Sequence, residues 1–480
     1  MYCLVNEMTE TRFLGRIEQR PRRWLALLGV VVVLGLATIV AWGSQRYGGV
    51  DGLVQRLRME FVQPVEHPAL APTPLGAVES HSALAMALLA NTATPTVTAA
   101  PTVTPAPPTA TPTLAATPLI ESAETDLLLA EHLTSRPSST STPTATPTET
   151  PQPTDTPVPT PQVAPGSGVV LSGLAHYWQT WNNCGPATLS MNLSYYGSQV
   201  KQAEAARFLK PDNDDKNVSP HEMVAFAQQQ GLHALARVDG DPQRLRQLID
   251  AGIPVLIETW LDHDGGMGHY RLVTGYDDSQ QEWIVYDSYI SDGIDPKGPY
   301  PGIRMTYADL DRLWRVFNNT YVLVYDDARA ATAEAIVGED VDDGVMWEQA
   351  LALAQSDAQA NPQDAFAWFN LGSSLEALGR PADAAVAFDQ ARVIGLPWRM
   401  LWYQFAPFHA YYDAGRYDEL VALADATIAT AGNIEETFYW KGQGLQALGD
   451  IDGARQAYQQ AAQLNSNYAE AQQALDGLSQ

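Results

Sequence analysis

The sequence predicts an α+β domain over residues 168–326, followed by an all-α domain of helical repeats over residues 340–480. The first prediction follows from the order of the segments. Helix-forming runs come early, and runs rich in valine, isoleucine and aromatic residues come later. The second prediction follows from Gly379, Gly415 and Gly449, which are spaced by 36 and then 34 residues, as in a repeat of helix pairs.

Local signals place the elements of the α+β domain. Ser219-Pro220 is typical of a helix start, and short apolar runs bounded by turn residues are typical of strands. We expect helices over 218–230 and 242–251, and strands over 255–261, 270–276, 283–286 and 321–325.

An apolar run without a charged residue extends over residues 24–42, a length of about 19 residues that can cross a bilayer. The preceding segment, residues 1–23, contains Arg12, Arg16, Arg20, Arg22 and Arg23. The positive-inside rule then predicts a single-pass anchor in the cell membrane, with the N-terminus cytoplasmic and the folded domains extracytoplasmic. A cleaved signal peptide, with cleavage near Ala41-Trp42-Gly43-Ser44, is the alternative.

Residues 43–165 predict a disordered linker rich in proline and threonine. Thr-Pro and Ala-Pro pairs recur through residues 94–112 and 137–161, and such a segment buries too little apolar surface to offset its ordering entropy. About 100 residues of extended polyproline helix reach on the order of 300 Å, so we expect this linker to hold the folded domains away from a membrane. Two islands with less proline, 80–91 and 120–135, have the composition of short helices.

The region 340–480 resembles a tetratricopeptide array. Its first unit carries Trp368, Leu371, Gly372, Leu375, Gly379, Ala384, Phe388 and Ala391 at the offsets of this repeat. A diverged second unit centres on Gly415-Arg416-Tyr417, and a third runs through Phe438, Gly442, Leu445, Gly449, Ala454, Tyr458 and Ala461. We expect helices over 347–360 and 467–478 to close its two ends. The resemblance implies a protein partner on these repeats, and the alternative is a generic helical bundle.

The net charge indicates the class of partner, and the cysteine content indicates the chemistry. A net charge of −27 argues against nucleic acid, because an acidic surface repels phosphates. The chain has two cysteines, Cys3 and Cys184, and a membrane-spanning run between them would keep their thiols apart. Cys184 is therefore expected to be a free thiol, which suits a nucleophile, and an inert buried cysteine is the alternative. We expect no cofactor.

The segment QTWNNCGPA around Cys184 carries the expected chemistry. Pro186 suits the first turn of a helix and Gly197 suits its end, so Cys184 would lie at a helix N-terminus, where the dipole favours a thiolate. The apolar alternation over residues 189–195 instead predicts a strand. Gln179 is placed to donate, together with the Cys184 backbone N–H, to a developing oxyanion.

A thiolate nucleophile needs a base, and five histidines are available in the domain: His176, His221, His233, His263 and His269. His269 is the best candidate because it enters a strand from a glycine-rich loop. His263 is its rival. With Asp262 and Asp264, His263 also suggests a metal site, although no partner cluster accompanies it and we expect no metal. The other three histidines are interpreted as surface or capping residues.

Asp287 is the predicted orienting carboxylate. It ends the next strand, eighteen residues after His269, so two adjacent antiparallel strands would bring it beside the imidazole. Asp277 and Asp278 suit the intervening turn. Glu258 lies inside an apolar strand and is interpreted as a hydrogen-bonded polar residue rather than a catalytic acid.

Together these residues resemble the papain-like clan of cysteine peptidases, and within it the double-glycine (bacteriocin-processing), C39-like family. The resemblance covers nearly all of residues 168–326 and rests on Gln179, Cys184-Gly185-Pro186-Ala187, Gly252–Val255, Gly268-His269, Gly275-Tyr276 and Asp287. It implies a papain-like fold with Cys184 as nucleophile and His269 as general base and acid. It further implies Asp287 as the orienting group and Gln179 as the oxyanion donor.

Two residues depart from the family pattern. Arg271 takes the place of an aliphatic residue, and Ser288 takes the place of a common proline. The transporter portion of the leader-processing members is lacking, so their double-glycine specificity does not carry over.

The sequence thus predicts a membrane-anchored, extracytoplasmic cysteine peptidase that cleaves a peptide or protein substrate and carries a partner-binding module. Two alternatives use the same domains. One is a catalytically silent scaffold that binds peptides, and the other is an acyltransferase that passes the acyl group from the thiol to an amine.

Overall fold

The computed structural model describes residues 70–91, 162–164, 168–263, 266–291 and 299–478. The predicted cytoplasmic segment, residues 1–23, and the predicted anchor, residues 24–42, lie outside these ranges, as does the predicted short helix at 120–135. Within the described ranges, no helix is long and apolar enough to span a bilayer.

The α+β domain is built on one antiparallel sheet whose strands follow runs of β-branched and aromatic residues. Its strands are β1 (Gln162–Ala164), β2 (Gly168–Val170), β3 (His233–Arg237), β4 (Val255–Trp260), β5 (Gly268–Asp277), β6 (Glu282–Asp287), β7 (Ile303–Thr306) and β8 (Tyr321–Tyr325). The order along the sheet is β1-β2-β5-β4-β8-β3, and β6 pairs with β5 and β7. Strand β5 is therefore central, and nine of its ten residues are buried.

Helices pack on both faces of this sheet. A first helix, α1 (Val78–Asn91), precedes the domain, and the domain itself contains α2 (Cys184–Tyr195), α3 (Gln202–Leu209), α4 (Pro220–Gln229), α5 (Pro242–Asp250), α6 (Tyr307–Trp314) and α7 (Asp327–Val337). Leu256 and Leu272 belong to the core beneath α2, α3 and α4, whereas Val255 and Val273 belong to the core beneath α5 and α7. Alternate strand residues thus enter opposite cores, as the period of two requires.

Helix α2 confirms the helix predicted from Pro186 and Gly197, against the apolar alternation over residues 189–195. Ten of its twelve residues are buried, so the helix has no polar face whose 3.6-residue period would mark it in the sequence. Two of its polar side chains bond to backbone carbonyls in or next to the sheet: Thr188 Oγ1 donates to the carbonyl of Tyr270, and Asn192 Nδ2 donates to the carbonyl of Pro254, each at 3.1 Å. The other predicted elements of the domain lie within two residues of the observed bounds.

Residues 343–478 form a helical module. It contains α8 (Asp343–Ala360), α9 (Ala365–Ala377), α10 (Pro381–Ile394), α11 (Ala406–Asp413), α12 (Tyr417–Thr430), α13 (Glu435–Ala447), α14 (Ile451–Leu464) and α15 (Ala469–Gly477). Helix α9 packs with α10, α11 with α12, and α13 with α14. Gly379, Gly415 and Gly449 follow the first helix of each pair with φ of 70°, 72° and 87°. This left-handed conformation is the one that glycine adopts at least cost, so the spaced glycines of the sequence mark the turns between paired helices.

The short helix predicted over residues 80–91 is confirmed by α1, and the prediction of a disordered linker over residues 43–165 is wrong for residues 70–91. Helix α1 packs against α10, and Ala85 and Leu89 join the core of the helical module. Ahead of the helix, the Ala71 N–H donates to the carbonyl of Leu396 at 2.8 Å. The α1 segment is rich in alanine and leucine, so it buries apolar surface that Thr-Pro repeats do not offer.

These contacts also change what the linker does. Helix α1 packs on the helical module, and β1 pairs with the sheet, so the chain between residues 91 and 162 joins two places on one folded unit. Residues 43–69 are what remains between the predicted anchor and Leu70, a length of at most about 90–100 Å when fully extended. The spacer expected from the sequence is therefore much shorter than 300 Å.

The helical module packs directly on the α+β domain. Trp260 and Phe317 of the α+β domain share an apolar core with Phe369 of the module. A hydrogen bond also crosses the interface, from Asn217 Nδ2 to Glu436 Oε1 at 2.8 Å.

Four carboxylic acids gather where α13 meets the α+β domain: Asp215, Glu222, Glu435 and Glu436. Burial is the main cause that raises the pKa of each, and repulsion from neighbouring carboxylates adds to it. The pKa of Glu222 rises to about 8. Lys210 is the cation that faces this cluster, and burial lowers its pKa.

We expect the melting temperature to fall as the pH rises from about 5 to 8, by about 5 °C or more. Acids with a raised folded-state pKa stabilise the protein fully below their unfolded value of about 4.3, and this stability is lost as the pH rises through the folded value. Scanning calorimetry from pH 5 to 8 measures the slope. Glu436→Gln should reduce the slope, and the exposed control Glu348→Gln should not. Equal slopes in both variants would contradict this role of the cluster.

Candidate active site

Cys184 is the first residue of α2, at the helix N-terminus expected from Pro186. The turn that precedes it contains Asn182 at φ 53°, a left-handed conformation. Gly185 is needed next to the cysteine, because a Cβ atom there would lie 2.9 Å from Met223 Cε. The positive end of the helix dipole therefore lies at Cys184 and favours its thiolate.

His269 is the second residue of β5, and Asp287 is the last residue of β6. The two strands pair with Arg271 opposite Asp287, and residues two apart on a strand share a face, so His269 and Arg271 both lie beside Asp287. His269 Nε2 lies 3.1 Å from Asp287 Oδ1. The imidazole also hydrogen-bonds the Cys184 side chain. Thiol, imidazole and carboxylate thus form one hydrogen-bonded chain.

These three groups shift one another's pKa. Burial disfavours the charged form of each, but their interactions outweigh it. A hydrogen bond and the charge of His269 lower the pKa of the Cys184 thiol, and the charge and hydrogen bond of Asp287 raise the pKa of His269. The charges of His269 and Arg271 hold the pKa of Asp287 well below its usual range. The site therefore favours a thiolate–imidazolium pair beside an ionised carboxylate.

Arg271 is almost fully buried and faces the other oxygen of Asp287. Its Nε lies 3.0 Å from Asp287 Oδ2, without the alignment of a hydrogen bond. Its Nη1 donates to the carbonyl of Trp260 at 2.7 Å and to Thr259 Oγ1, and its Nη2 donates to the carbonyl of Leu261 at 2.6 Å. The guanidinium is thus fixed on the end of β4 and directs its charge at Asp287.

Gln179 is held next to Asp287 by Ser288. The Gln179 N–H donates to the Ser288 carbonyl at 2.9 Å, and Ser288 Oγ donates to Gln179 Oε1 at 2.8 Å. This bond to its side-chain oxygen fixes the orientation of the Gln179 amide group. Ser288, which departs from the family's proline, therefore positions the predicted oxyanion donor.

His176 is not the surface or capping residue that we predicted. Its ring stacks on Tyr300 with centroids 3.5 Å apart, and its Nε2 lies 2.8 Å from the carbonyl oxygen of Asp287. Burial lowers its pKa to about 4, so it is neutral at neutral pH. His176 and Tyr300 pack against the end of β6 and support Asp287 from behind.

The rival base and the predicted turn residues lie outside the site around Cys184. His263 Nε2 lies 2.8 Å from Arg312 Nη2 and 3.5 Å from Asp309 Oδ1, so the rival base contacts surface groups. Asp264 lies outside the described residues. In the described part of the chain, no group of histidine, cysteine, aspartate and glutamate is arranged to hold a metal ion. Asp277 accepts hydrogen bonds within the turn after β5, as predicted.

The space beside Cys184 is small. It is lined by Asn182, Cys184, Gly185, Lys216, Asn217, Val218, Glu258, Gly268, His269, Tyr270 and Tyr403. Its free volume is about 10 Å³, which is room for about one water molecule. A peptide therefore does not fit in this conformation.

Part of the helical module closes this space. We call residues 398–404, between α10 and α11, the roof segment. Tyr403 lies directly over Gly268, where a Cβ atom would be 2.8 Å from the ring. Gln404 Nε2 donates to Glu258 Oε2 at 3.2 Å. Tyr403 also packs edge-on against Trp260. The roof segment is thus held on the α+β domain at the candidate nucleophile.

One family of known proteins matches the α+β domain. Residues 172–321 match the Peptidase_C39 like family. One similar solved structure is described as a C39-like peptidase from Bacillus anthracis, with 14% identity, a TM-score of 0.25, and coverage of 30% of this chain and 89% of that chain. Another is the crystal structure of MamA, with 15% identity, a TM-score of 0.25, and coverage of 32% and 81%. No curated protein matches the chain.

The family match supports the resemblance stated from the motif around Cys184. It spans most of the α+β domain, which is thus similar to the C39-like, papain-like peptidases. The match does not extend into the helical module.

Proposed function

We propose that this protein is a cysteine peptidase that hydrolyses peptide bonds through Cys184, His269 and Asp287. The observation that carries the proposal is the hydrogen-bonded chain of these three side chains at a helix N-terminus. Their pKa shifts favour a thiolate and an imidazolium, which is the state that a thiol nucleophile needs. The C39-like match over residues 172–321 supports the same chemistry.

In the proposed reaction, the Cys184 thiolate attacks the substrate carbonyl carbon, and the C=O electron pair moves to oxygen. The Gln179 amide and the Cys184 backbone N–H donate to this oxyanion. The His269 imidazolium gives its proton to the leaving amine as the C–N bond breaks, which leaves a thioester. His269 then takes a proton from water as the water oxygen attacks the thioester, and Cys184 leaves as a thiolate. Asp287 holds the imidazole and stabilises its charge.

Replacing Cys184 by alanine is expected to abolish peptide hydrolysis, because no other described side chain takes the nucleophile's place at His269. The full-length protein is incubated with a peptide library, and new termini are identified by mass spectrometry. Cleavage that persists in Cys184→Ala would contradict the proposal. Added amines separate the acyltransferase, which yields amides, from the hydrolase, which yields acids. Binding without cleavage by the wild type would favour the scaffold.

Tyr403→Ala is expected to speed alkylation of Cys184 by iodoacetamide about tenfold or more, because it removes the ring that covers a space the size of one water molecule. Tyr403→Phe keeps the ring and should alkylate at the wild-type rate. Tyr412→Ala, in α11 and away from the cavity, is the matched control. Equal rates in all four proteins would mean that the roof segment does not limit access.

The proposal extends to the place of the protein and its partners. The apolar run 24–42 with its preceding arginines supports a single-pass membrane anchor, with the folded domains outside the cytoplasm. The paired helices of the helical module resemble tetratricopeptide repeats and supply a surface for a protein partner. Protease added to intact cells is expected to digest the folded domains, and full protection would contradict this orientation.

A further inference from the structure

Glu258 is a buried carboxylic acid beside the candidate nucleophile. Its side chain is 3% exposed, lies on β4 and lines the same cavity as Cys184 and His269. Its hydrogen-bond partner is the neutral amide of Gln404, at 3.2 Å. Among the described residues, no lysine, arginine or histidine forms an ion pair with it. A buried carboxylate in its ionised form is normally paired with a cation, and Glu258 has no such partner among the described residues.

The groups around Glu258 do not supply that cation. Lys216 lines the cavity, but its Nζ donates to the carbonyl of Asp214 at 2.5 Å and lies over the Trp181 ring. Burial, as the main cause, and the neighbouring Cys184 raise the pKa of Glu258 to about 8, although the hydrogen bond from Gln404 lowers it. A cation beside the carboxylate would reverse this shift.

The Gln404 amide of the roof segment marks the place where a cation fits beside Glu258. Gln404 reaches Glu258 from the helical module, and any peptide that reaches Cys184 must displace the roof segment, because the free volume is about 10 Å³. Displacement of Gln404 leaves Glu258 buried without a donor. A substrate with a positive charge restores the bond and adds an ion pair, whereas an apolar side chain restores neither.

We propose that Glu258 determines the specificity of this site, and that it receives a lysine or arginine side chain of the substrate in the place now taken by the Gln404 amide. The inference rests on the proposed peptidase function, because only a peptidase takes a peptide substrate. The charge preference of the cavity, however, does not depend on hydrolysis. The charge preference and the peptide hydrolysis are therefore tested separately.

The charge preference is tested on the full-length chain with Cys3→Ala, so that Cys184 is the single thiol. Two methanethiosulfonates label it, one carrying an ethyltrimethylammonium group, whose charge does not titrate, and one carrying an ethylsulfonate group. We expect the ratio of their rate constants, cation over anion, to be about tenfold or more higher with Glu258 than with Glu258→Gln at pH 9. Asp262→Asn, in the loop after β4 and outside the cavity lining, should keep the higher ratio.

A second measurement does not depend on how well the variant folds. With Glu258 present, the rate ratio should rise with pH through about 8, because the carboxyl is protonated below its pKa and ionised above it. Thiolate formation affects both reagents alike and cancels. A ratio that is flat with pH, or equal with Glu258 and Glu258→Gln, overturns the inference even if peptides are cleaved.

Hydrolysis is then compared for peptides that differ by lysine or norleucine next to the scissile bond. We expect kcat/KM to favour lysine by about tenfold to a hundredfold, and Glu258→Gln to remove this preference. Equal values for both peptides overturn the inference. A charge-dependent labelling ratio without any hydrolysis supports the cation subsite and contradicts the peptidase.

Discussion

Replacing His269 by alanine is expected to lower peptide hydrolysis by about 10²- to 10⁴-fold, the range of general acid–base catalysis. His269 lowers the pKa of Cys184 and is the group placed to protonate the leaving amine. Its removal returns the thiol toward an ordinary pKa of about 8.5, so alkylation by iodoacetamide at pH 6 should slow by about tenfold.

The alkylation profile of His269→Ala has a second expected feature. At pH 9.5 the variant should react at least as fast as the wild type, because a more basic thiolate is a stronger nucleophile. His233→Ala removes an exposed histidine that pairs with Asp327 and serves as the control. A variant that is slower by the same factor at every pH would point to distorted structure rather than to the loss of an ion pair.

Replacing Arg271 by methionine is expected to lower the free energy of unfolding by about 3–5 kcal/mol, the effect of breaking a buried ion pair. Asp287 is fully buried and would keep its negative charge without the guanidinium 3.0 Å away. Denaturant titration at pH 7 measures the loss. The double variant Arg271→Met/Asp287→Asn, which removes both charges of this pair, should recover part of the stability. No recovery would mean that lost packing, rather than charge, explains the effect.

The same variant should change the response to acid. Asp287 has a lowered pKa, so its contribution to stability is present above its unfolded value of about 3.9 and is lost as the pH falls through its folded value. Without Arg271 the folded pKa of Asp287 rises, and acid unfolding should begin at a higher pH. Wild-type and variant proteins that unfold at the same pH would argue against the pairing.

Four of the eight described strands, β4, β5, β6 and β8, could be predicted from the sequence because their apolar runs are short and bounded by turn residues. The predicted strands placed His269 and Asp287 on neighbouring segments, and in the structure these segments, β5 and β6, pair with each other. Helix α2 was harder to predict, because a helix buried on all sides loses its period, and two signals in its sequence disagreed.

Other parts of the site depend on contacts between distant segments. Arg271 carried a readable signal, since a charged residue two positions after His269 in a buried strand needs a carboxylate on the same face. His176 lies 111 residues before its partner Asp287, and Gln404 lies 146 residues after Glu258. The sequence has no local pattern for such pairs. For the same reason the docking of α1 and of the roof segment was not predicted.

The most direct test of the proposed peptidase is the pKa of the Cys184 thiol, measured in the full-length protein from thiolate absorbance near 240 nm. The titration of Cys184→Ala is subtracted, so that Cys3 and the tyrosines cancel. We expect a difference curve with a midpoint clearly below the ordinary thiol value of about 8.5, because His269 stabilises the thiolate. A midpoint at or above 8.5 would contradict an activated thiolate–imidazolium pair, and with it the proposed peptidase.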